Sequence, residues 1–324
     1  MNKLTLHFLS AALLTSVSMV AYAVEDKPTS PSKDPEPVGV EIKIGAGSET
    51  GEYYQTVVPA ISKALAQYGY RATAVVSAGS QENIDKVKSG ELHAGLSQLD
   101  VAALNVTKEK NYQGDLLFLG RIAPEALFCA VKKEGSIKNY VDLTDTQKTA
   151  AIKVTVMGEK SGTAATLTYL MMLDPSLTTA NKGLELVYST ETIKDELQRL
   201  TSGNREMVCF MMMPNPENET IKLVSGNADL MFLSFDNEIL MKKAKVGELQ
   251  VYDIMDVTSA SNWGLTTKLK TLVTWMSVVV NVKKADPKLV NALRDVTMKT
   301  DLLPDGSILG KTKGMMDKVI HMVQ

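Results

Sequence analysis

Two patterns of apolar and polar positions alternate along this chain. Short apolar runs of about five residues predict strands, and longer segments with apolar residues three or four positions apart predict amphipathic helices. The first pair is a strand at 40–44 and a helix at 53–68, whose apolar residues share one face. A strand followed by a helix then recurs through most of the chain.

The predicted elements extend from residue 40 to residue 300. The strands are 40–44, 72–76, 93–97, 116–122, 127–132, 153–157, 184–188, 207–212, 230–233, 249–254 and 272–282. The helices are 53–68, 80–88, 162–173, 192–201, 217–225 and 287–300. Pro124 is expected to separate the fourth strand from the fifth. This alternation predicts an α/β fold of mostly parallel sheets covered by helices on both faces.

The N-terminal segment has the features of a signal peptide. Lys3 precedes an apolar run, and Ala21-Tyr22-Ala23 resembles a cleavage site, so residues 1–23 are predicted to direct the protein to the periplasm. Residues 24–38 are rich in Pro, Ser and charged residues, which predicts a flexible tether. The rest exceeds one ordinary sheet and predicts two lobes with a cleft between them: 39–125 plus 258–324, and 126–257.

Charge and cysteine content narrow the function classes. With 35 Lys and Arg against 37 Asp and Glu, the chain has a net charge of −2 and no basic footprint for nucleic acid. Cys129 and Cys209 each lie in an apolar, strand-like run. They are either two buried thiols or, outside the cytosol, a disulfide. Without a nearby histidine pair they do not predict a zinc site, and no cofactor is predicted.

Two similar loops follow predicted strands in the two halves of the chain. G-A-G-S-E-T-G begins at Gly45 and G-E-K-S-G-T begins at Gly158, each leading into a helix. A weaker third case is S-A-G-S at residues 77–80. The first N–H groups of a helix have no partner within it, and the helix dipole places positive charge there. Such loops either cap their helices or together bind a carboxylate, sulfate or phosphate.

Four motifs resemble the TAXI-type substrate receptors of TRAP transporters. They are G-A-G-S-E-T-G-E-Y-Y at 45–54, S-A-G-S-Q-E-N at 77–83, S-G-E-L-H-A-G-L-S-Q-L-D-V-A at 89–102 and P-N-P at 214–216. The resemblance implies a two-lobed, type II periplasmic-binding fold. It implies a monomer whose lobes close over an amino acid or a small carboxylate such as glutamate or 2-oxoglutarate. It also implies delivery to a TRAP-type membrane permease.

The resemblance also implies which residues line the cleft. The implied ligand-binding residues are Ser48, Thr50, Gly51, Tyr53, Gly79, Ser80, Gln98, Asp100, Ser161, Gly162, Thr163, Pro214 and Asn215. The chain departs from the family pattern at Gln55, Ala78, Leu99 and Met213, which makes the expected cleft less polar.

Several of these residues have alternative roles. Tyr54 lies on the apolar stripe of its helix, so Tyr53 is the better candidate for the cleft. Asp100 either meets a ligand ammonium group or caps the helix that follows it. Glu49 and Lys160 are either ligand contacts or solvated surface charges.

Other functions are less consistent with the sequence. No G-x-S-x-G motif occurs, and the Ser and Thr loops have no adjacent general base, so a hydrolase or transferase is not expected. A sensor module that presents its closed form to a membrane receptor kinase remains open as the alternative to transport.

Overall fold

The computed structural model describes residues 39–108, 115–246, 249–262, 265–299 and 302–303. The predicted signal peptide at 1–23 and tether at 24–38 lie outside the described residues. The described residues all belong to one compact unit.

The described chain alternates strands and helices. The strands are β1 Val40–Gly47, β2 Tyr70–Val76, β3 Ala94–Gln98, β4 Leu116–Lys132, β5 Ile152–Met157, β6 Leu184–Ser189, β7 Met207–Met212, β8 Leu230–Phe232, β9 Lys245–Val246, β10 Leu249–Gln250, β11 Asp253–Asn262 and β12 Leu265–Asn281. The helices are α1 Val58–Leu65, α2 Ser80–Ser89, α3 Leu99–Lys108, α4 Tyr140–Thr144, α5 Gly162–Leu173, α6 Ile193–Thr201, α7 Glu219–Ser225, α8 Glu238–Lys243 and α9 Pro287–Lys299.

One mixed sheet has the strand order β2-β1-β3-β12-β4-β7-β5-β6, with β11 paired to β12 and β8 paired to β4. Strands β1, β2 and β3 are parallel to one another, and so are β5, β6 and β7. The two long strands β4 and β12 run antiparallel between these sets. The predicted α/β class is therefore confirmed. Strands β1 and β5 hold equivalent central positions, so the loops that follow them are also equivalent.

Strand β4 differs from the prediction. Pro124 does not end it, and residues 116–132 form one strand paired to β12 across Pro124. On the other edge of β4, the pairing with β7 starts only at Ala126. Pro124 therefore lies where β4 has a strand neighbour on one side, and there the missing N–H is tolerated.

Two other predicted elements are divided. The helix expected at 53–68 begins with a π-helical turn at Tyr53–Val57 and ends with a 3-10 turn at Ala66–Tyr68. Pro59, which lies in the first turn of α1, has no N–H to donate back and so favours an irregular start. The strand expected at 249–254 divides into β10 and β11 around two buried residues, Val251 and Tyr252.

Helices cover both faces of the sheet. Helices α1 and α9 pack together against one face of β1, β3, β4 and β12. On the other face, α2, α3 and α5 share one apolar core, and α3 packs directly on α5. This core joins the two parallel strand sets and holds the loops after β1, β2 and β5 close to one another.

Cys129 and Cys209 are joined by a disulfide. They face each other in the β4–β7 ladder with their Cα atoms 4.1 Å apart, and both are fully buried. The bridge fixes the second half of β4 to β7.

Among the described residues, no helix is both long enough and apolar enough to cross a membrane.

Candidate functional site

The loops after β1 and β2 are tied together by hydrogen bonds. The amide of Gly47 donates to Oγ of Ser77 at 3.0 Å, and the amide of Ser77 donates to the carbonyl of Gly47 at 2.9 Å. Within the first loop, the hydroxyls of Ser48 and Thr50 lie 3.1 Å apart and are exposed, and Gly51 N donates to Ser48 O at 2.8 Å. The exposed hydroxyls of this loop are available to a ligand from solvent.

The loop after β5 begins helix α5. Oγ of Ser161 accepts a hydrogen bond from Ala164 N at 3.1 Å, so Ser161 is the N-cap of the helix. Oγ1 of Thr163 accepts from Met211 N at 2.9 Å and ties the helix to β7. Both hydroxyls therefore have structural partners, while Gly162 presents its backbone at the first position of α5.

The loops from the two halves meet at two glycines. Gly79, at the start of α2, has a φ of +125°, and a Cβ placed on it would lie 3.5 Å from Gly162 N. A Cβ on Gly162 would lie 1.8 Å from Oε1 of Gln98. The starts of α2 and α5 therefore converge, and the side chain of Gln98 occupies the space between them. The two loops are in contact and are not separated by an open cleft.

Four side chains from the first half of the chain form a buried polar chain beside this contact. Ser80 Oγ donates to Gln98 Oε1 at 3.4 Å, and Gln98 Nε2 donates to Glu125 Oε2 at 2.7 Å. The hydroxyl of Tyr53 donates to the other oxygen of Glu125. Three of the predicted site residues, Tyr53, Ser80 and Gln98, are thus brought together around Glu125, which was not predicted.

Glu125 is a buried carboxyl with neutral hydrogen-bond partners. Its exposed fraction is 5%, and burial raises its pKa to about 7. The hydrogen bonds from Tyr53 and Gln98 oppose this shift, and the negative charges of Asp100 and Glu52 add to it. Burial and the adjacent Glu125 also raise the pKa of Tyr53, so its hydroxyl keeps its proton and remains a donor.

Asp100 connects the two halves of the fold. Its Oδ2 accepts from Thr166 Oγ1 of α5 at 2.5 Å and from the Tyr252 hydroxyl at 2.8 Å, and its Oδ1 accepts from Val101 N at 2.8 Å. Burial raises the pKa of Asp100, and these hydrogen bonds oppose the increase. Asp100 thus holds α3 to α5. Helix α3 begins at Leu99, two residues before Val101, where it would begin if Asp100 were its N-cap.

The remaining candidates lie apart from this chain of contacts. Asn215 forms a turn after β7 with Pro214, and its Oδ1 accepts from Glu217 N at 2.9 Å. Lys160 Nζ is 3.9 Å from Asp85 Oδ2, and both side chains are largely exposed. Glu49 is exposed. Within the described residues, no hydrogen bond joins Pro214, Asn215 or Glu49 to Gln98 or Glu125.

One sequence signal could have identified Glu125. It is a lone charge within an apolar run, A-P-E-A-L-F at residues 123–128, and a buried charge in a strand core needs a partner. Because Pro124 predicts a break between two strands, the pattern places Glu125 in a connection and not in a buried strand.

The described residues contain no group of three or more His, Cys, Asp or Glu side chains placed to hold a metal ion. The site instead combines two helix starts, small hydroxyls and buried carboxyls.

Comparison with known families identifies the family of the chain. A family model described as the NMT1-like family matches residues 44–290, and the chain therefore belongs to the NMT1-like family.

Solved structures with similar chain courses include amino acid binding proteins of transport systems. An arginine transport-system periplasmic binding protein from Legionella pneumophila is 9% identical, with a TM-score of 0.46, over 86% of this chain and 99% of that one. An ancestral arginine-binding protein bound to arginine is 13% identical, with a TM-score of 0.46, over 88% and 98% of the two chains. With TM-scores below 0.5, these similarities assign no ligand to this chain.

Proposed function

We propose that this protein is an extracytoplasmic solute-binding protein of the TAXI type. It captures a small carboxylate or an amino acid, such as glutamate or 2-oxoglutarate, between two lobes and delivers it to a TRAP-type membrane permease. In this proposal the mature chain is a periplasmic monomer without enzymatic activity.

The convergence of two helix starts at Gly79 and Gly162 carries the proposal. Helices α2 and α5 are ten and twelve residues long, and each brings its first N–H groups and positive dipole end to the same point. Two positive helix ends repel one another unless an acceptor lies between them. Here the acceptor is Oε1 of Gln98, 3.4 Å from Ser80 Oγ. A ligand carboxylate has the charge and the shape to replace it.

The partners of the long strands support two lobes in this proposal. The sequence-based bounds are residues 39–125 with 258–324 for one lobe and 126–257 for the other, and β7 joins β4 at Ala126, close to the first boundary. We place the return crossing nearer Val273, because Leu269 packs with Phe128 and Phe210 of the second lobe. Bending of β4 and β12 at these points would separate the two loops and admit the solute.

The proposed ligand contacts come from both lobes. The first lobe contributes Ser48, Thr50, Gly51, Tyr53, Gly79, Ser80, Gln98 and Asp100, and the second contributes Ser161, Gly162, Thr163, Pro214 and Asn215. Contacts to both lobes favour the closed form, because the solute binds that form more tightly than the open one.

The geometry gives no support to catalysis at these loops. His93 accepts a hydrogen bond from Lys43 N at 3.0 Å through its Nδ1 and lies just before β3, while Gln98 ends that strand. The oxygen of Ser161 accepts from a backbone amide and has no described base beside it.

The direct test is calorimetry on the purified mature protein with panels of amino acids and small carboxylates, alongside small-angle scattering. We expect micromolar or tighter binding of at least one solute and a more compact particle when it is bound. Absence of binding across both panels would refute the proposal.

A further inference from the structure

Glu125 has no cation to balance it within the described part of the chain. Its two oxygens accept hydrogen bonds from the neutral groups of Tyr53 and Gln98, and no described ion pair includes it. The titratable groups with the largest effects on its pKa are Tyr53, Asp100 and Glu52, and none of these is positively charged at neutral pH. Because a buried carboxylate without a cation is costly, a cation that enters this site is strongly favoured.

A second polar group lies beside Glu125 without a partner. Thr274 is directly opposite Glu125 in the β4–β12 ladder, so the two side chains share one face of the sheet. Oγ1 of Thr274 is fully buried and has no hydrogen-bond partner. A hydroxyl oxygen can accept a hydrogen bond from an ammonium group, and a buried hydroxyl gains from such a bond.

The carboxamide of Gln98 shows which hydrogen-bonding groups fit between the starts of α2 and α5 on one side and Glu125 on the other. Its oxygen faces Ser80 and the start of α5, and its nitrogen donates to Glu125. The amide places an acceptor on one side and a donor on the other. An α-amino acid has the same order of groups, a carboxylate and an ammonium group, with its oxygen and nitrogen one bond further apart.

On the basis of the proposed function, we infer that Glu125 selects the solute: the ligand is an α-amino acid whose ammonium group binds Glu125 and Thr274. Its carboxylate replaces the Gln98 oxygen at the starts of α2 and α5. Anions of the same size that lack the ammonium group are rejected, because they leave Glu125 unpaired or must keep it protonated.

Ligand binding is expected to change the protonation of Glu125, and the charge of the ligand decides the direction of that change. With a pKa of about 7, the unliganded Glu125 is about half protonated at pH 7. An ammonium ligand stabilises the carboxylate, so Glu125 gives its proton to the buffer when the ligand binds. A ligand with only negative charge would stabilise the protonated carboxyl and take up a proton.

The test is calorimetry of the full mature chain with L-amino acids and with the 2-oxo acids of the same carbon skeletons. Titration at pH 7 in buffers of different ionisation enthalpy counts the protons exchanged. We expect preference for an amino acid with proton release, and at least a 30-fold loss of its affinity in Glu125→Gln. Glu134→Gln, at an exposed turn after the same strand, is the matched control.

A second variant keeps the test valid if Glu125→Gln does not fold. Thr274→Val removes a buried hydroxyl that has no partner, so we expect unchanged or higher thermal stability together with weaker amino-acid binding. Equal affinity for amino and 2-oxo acids, proton uptake, or equal affinities in Glu125→Gln and Glu134→Gln would overturn the inference while solute binding stands. Failure of both ligand sets to bind the wild type would instead refute the proposed function.

Discussion

Oε1 of Gln98 lies 1.8 Å from the position that a Cβ on Gly162 would occupy, so Gly162 cannot acquire a side chain without displacing Gln98. Gln98 belongs to the first half of the molecule and Gly162 to the second. At this point the contact between the halves therefore depends on one residue without a side chain facing one carboxamide.

Gly162→Ala is expected to prevent this contact. The added methyl would push the Gln98 amide away from Ser80, so the variant should bind its solute at least ten-fold more weakly and show a larger radius of gyration in solution. Calorimetry and small-angle scattering measure the two effects. Adding Gln98→Ala should relieve the clash and restore the radius. A double variant as extended as the single one would show that Gln98 does not oppose closure.

The link between α3 and α5 is expected to contribute to stability. Tyr252→Phe removes one of the two hydroxyls that donate to Oδ2 of Asp100, and we expect a loss of about 1 kcal/mol of unfolding free energy. Asp100→Ala leaves the buried hydroxyls of Thr166 and Tyr252 without their acceptor and should cost about 2 kcal/mol or more. Urea unfolding measures both losses. Tyr188→Phe, at an exposed tyrosine, is the control. An unchanged Asp100→Ala protein would exclude this role.

The disulfide is expected to stabilise the second half of the molecule. Cys129 and Cys209 are 80 residues apart in sequence, and closing a loop of that length restricts the unfolded chain by about 4 kcal/mol. Denaturant unfolding with and without reductant should differ by a value near this one. Because both cysteines are fully buried, reductant should act only once the protein unfolds. Identical midpoints, with reduction verified by thiol titration, would contradict the estimate.

The sequence patterns predicted the α/β class and the equivalence of the two loops because both depend on local features. Hydrophobic periodicity defines strands and helices, and glycine with serine after a strand marks a helix start. That local evidence singled out Ser80, whereas Gln98 entered through the family resemblance, and Tyr53 through that resemblance together with its position on the helix.

What the sequence could not supply depends on long-range pairing. By local sequence alone, Pro124 predicts the end of a strand. Strand β4 nevertheless continues through it, because the pairing with β7 starts only at Ala126 and no N–H is needed on that edge at Pro124. Glu125 is important because it is opposite Thr274, 149 positions further along the chain by number, and no local pattern indicates that pairing. The disulfide also depends on long-range pairing, because the register of β4 and β7 places Cys129 opposite Cys209.

Glu125 is expected to make the stability of the unliganded protein fall as pH rises. Its pKa is raised in the folded state, so the native protein holds the proton more tightly than the unfolded chain does. The stabilisation is complete below the unfolded pKa of about 4.5 and is lost as pH rises to about 7. Glu125→Gln stays neutral throughout. The variant should therefore be more stable than the wild type by about 3 kcal/mol at pH 8 and by less than about 1 kcal/mol at pH 5.

Urea unfolding of both proteins at the two pH values measures this difference. Asp100, whose pKa is also raised by burial, is present in both proteins, so its contribution largely cancels in the comparison. Exposed Glu134→Gln should show no such dependence on pH. A stability difference between Glu125→Gln and the wild type that is the same at pH 5 and pH 8 would mean that Glu125 is ionised over this whole range. In that case a cation outside its known contacts must already balance it.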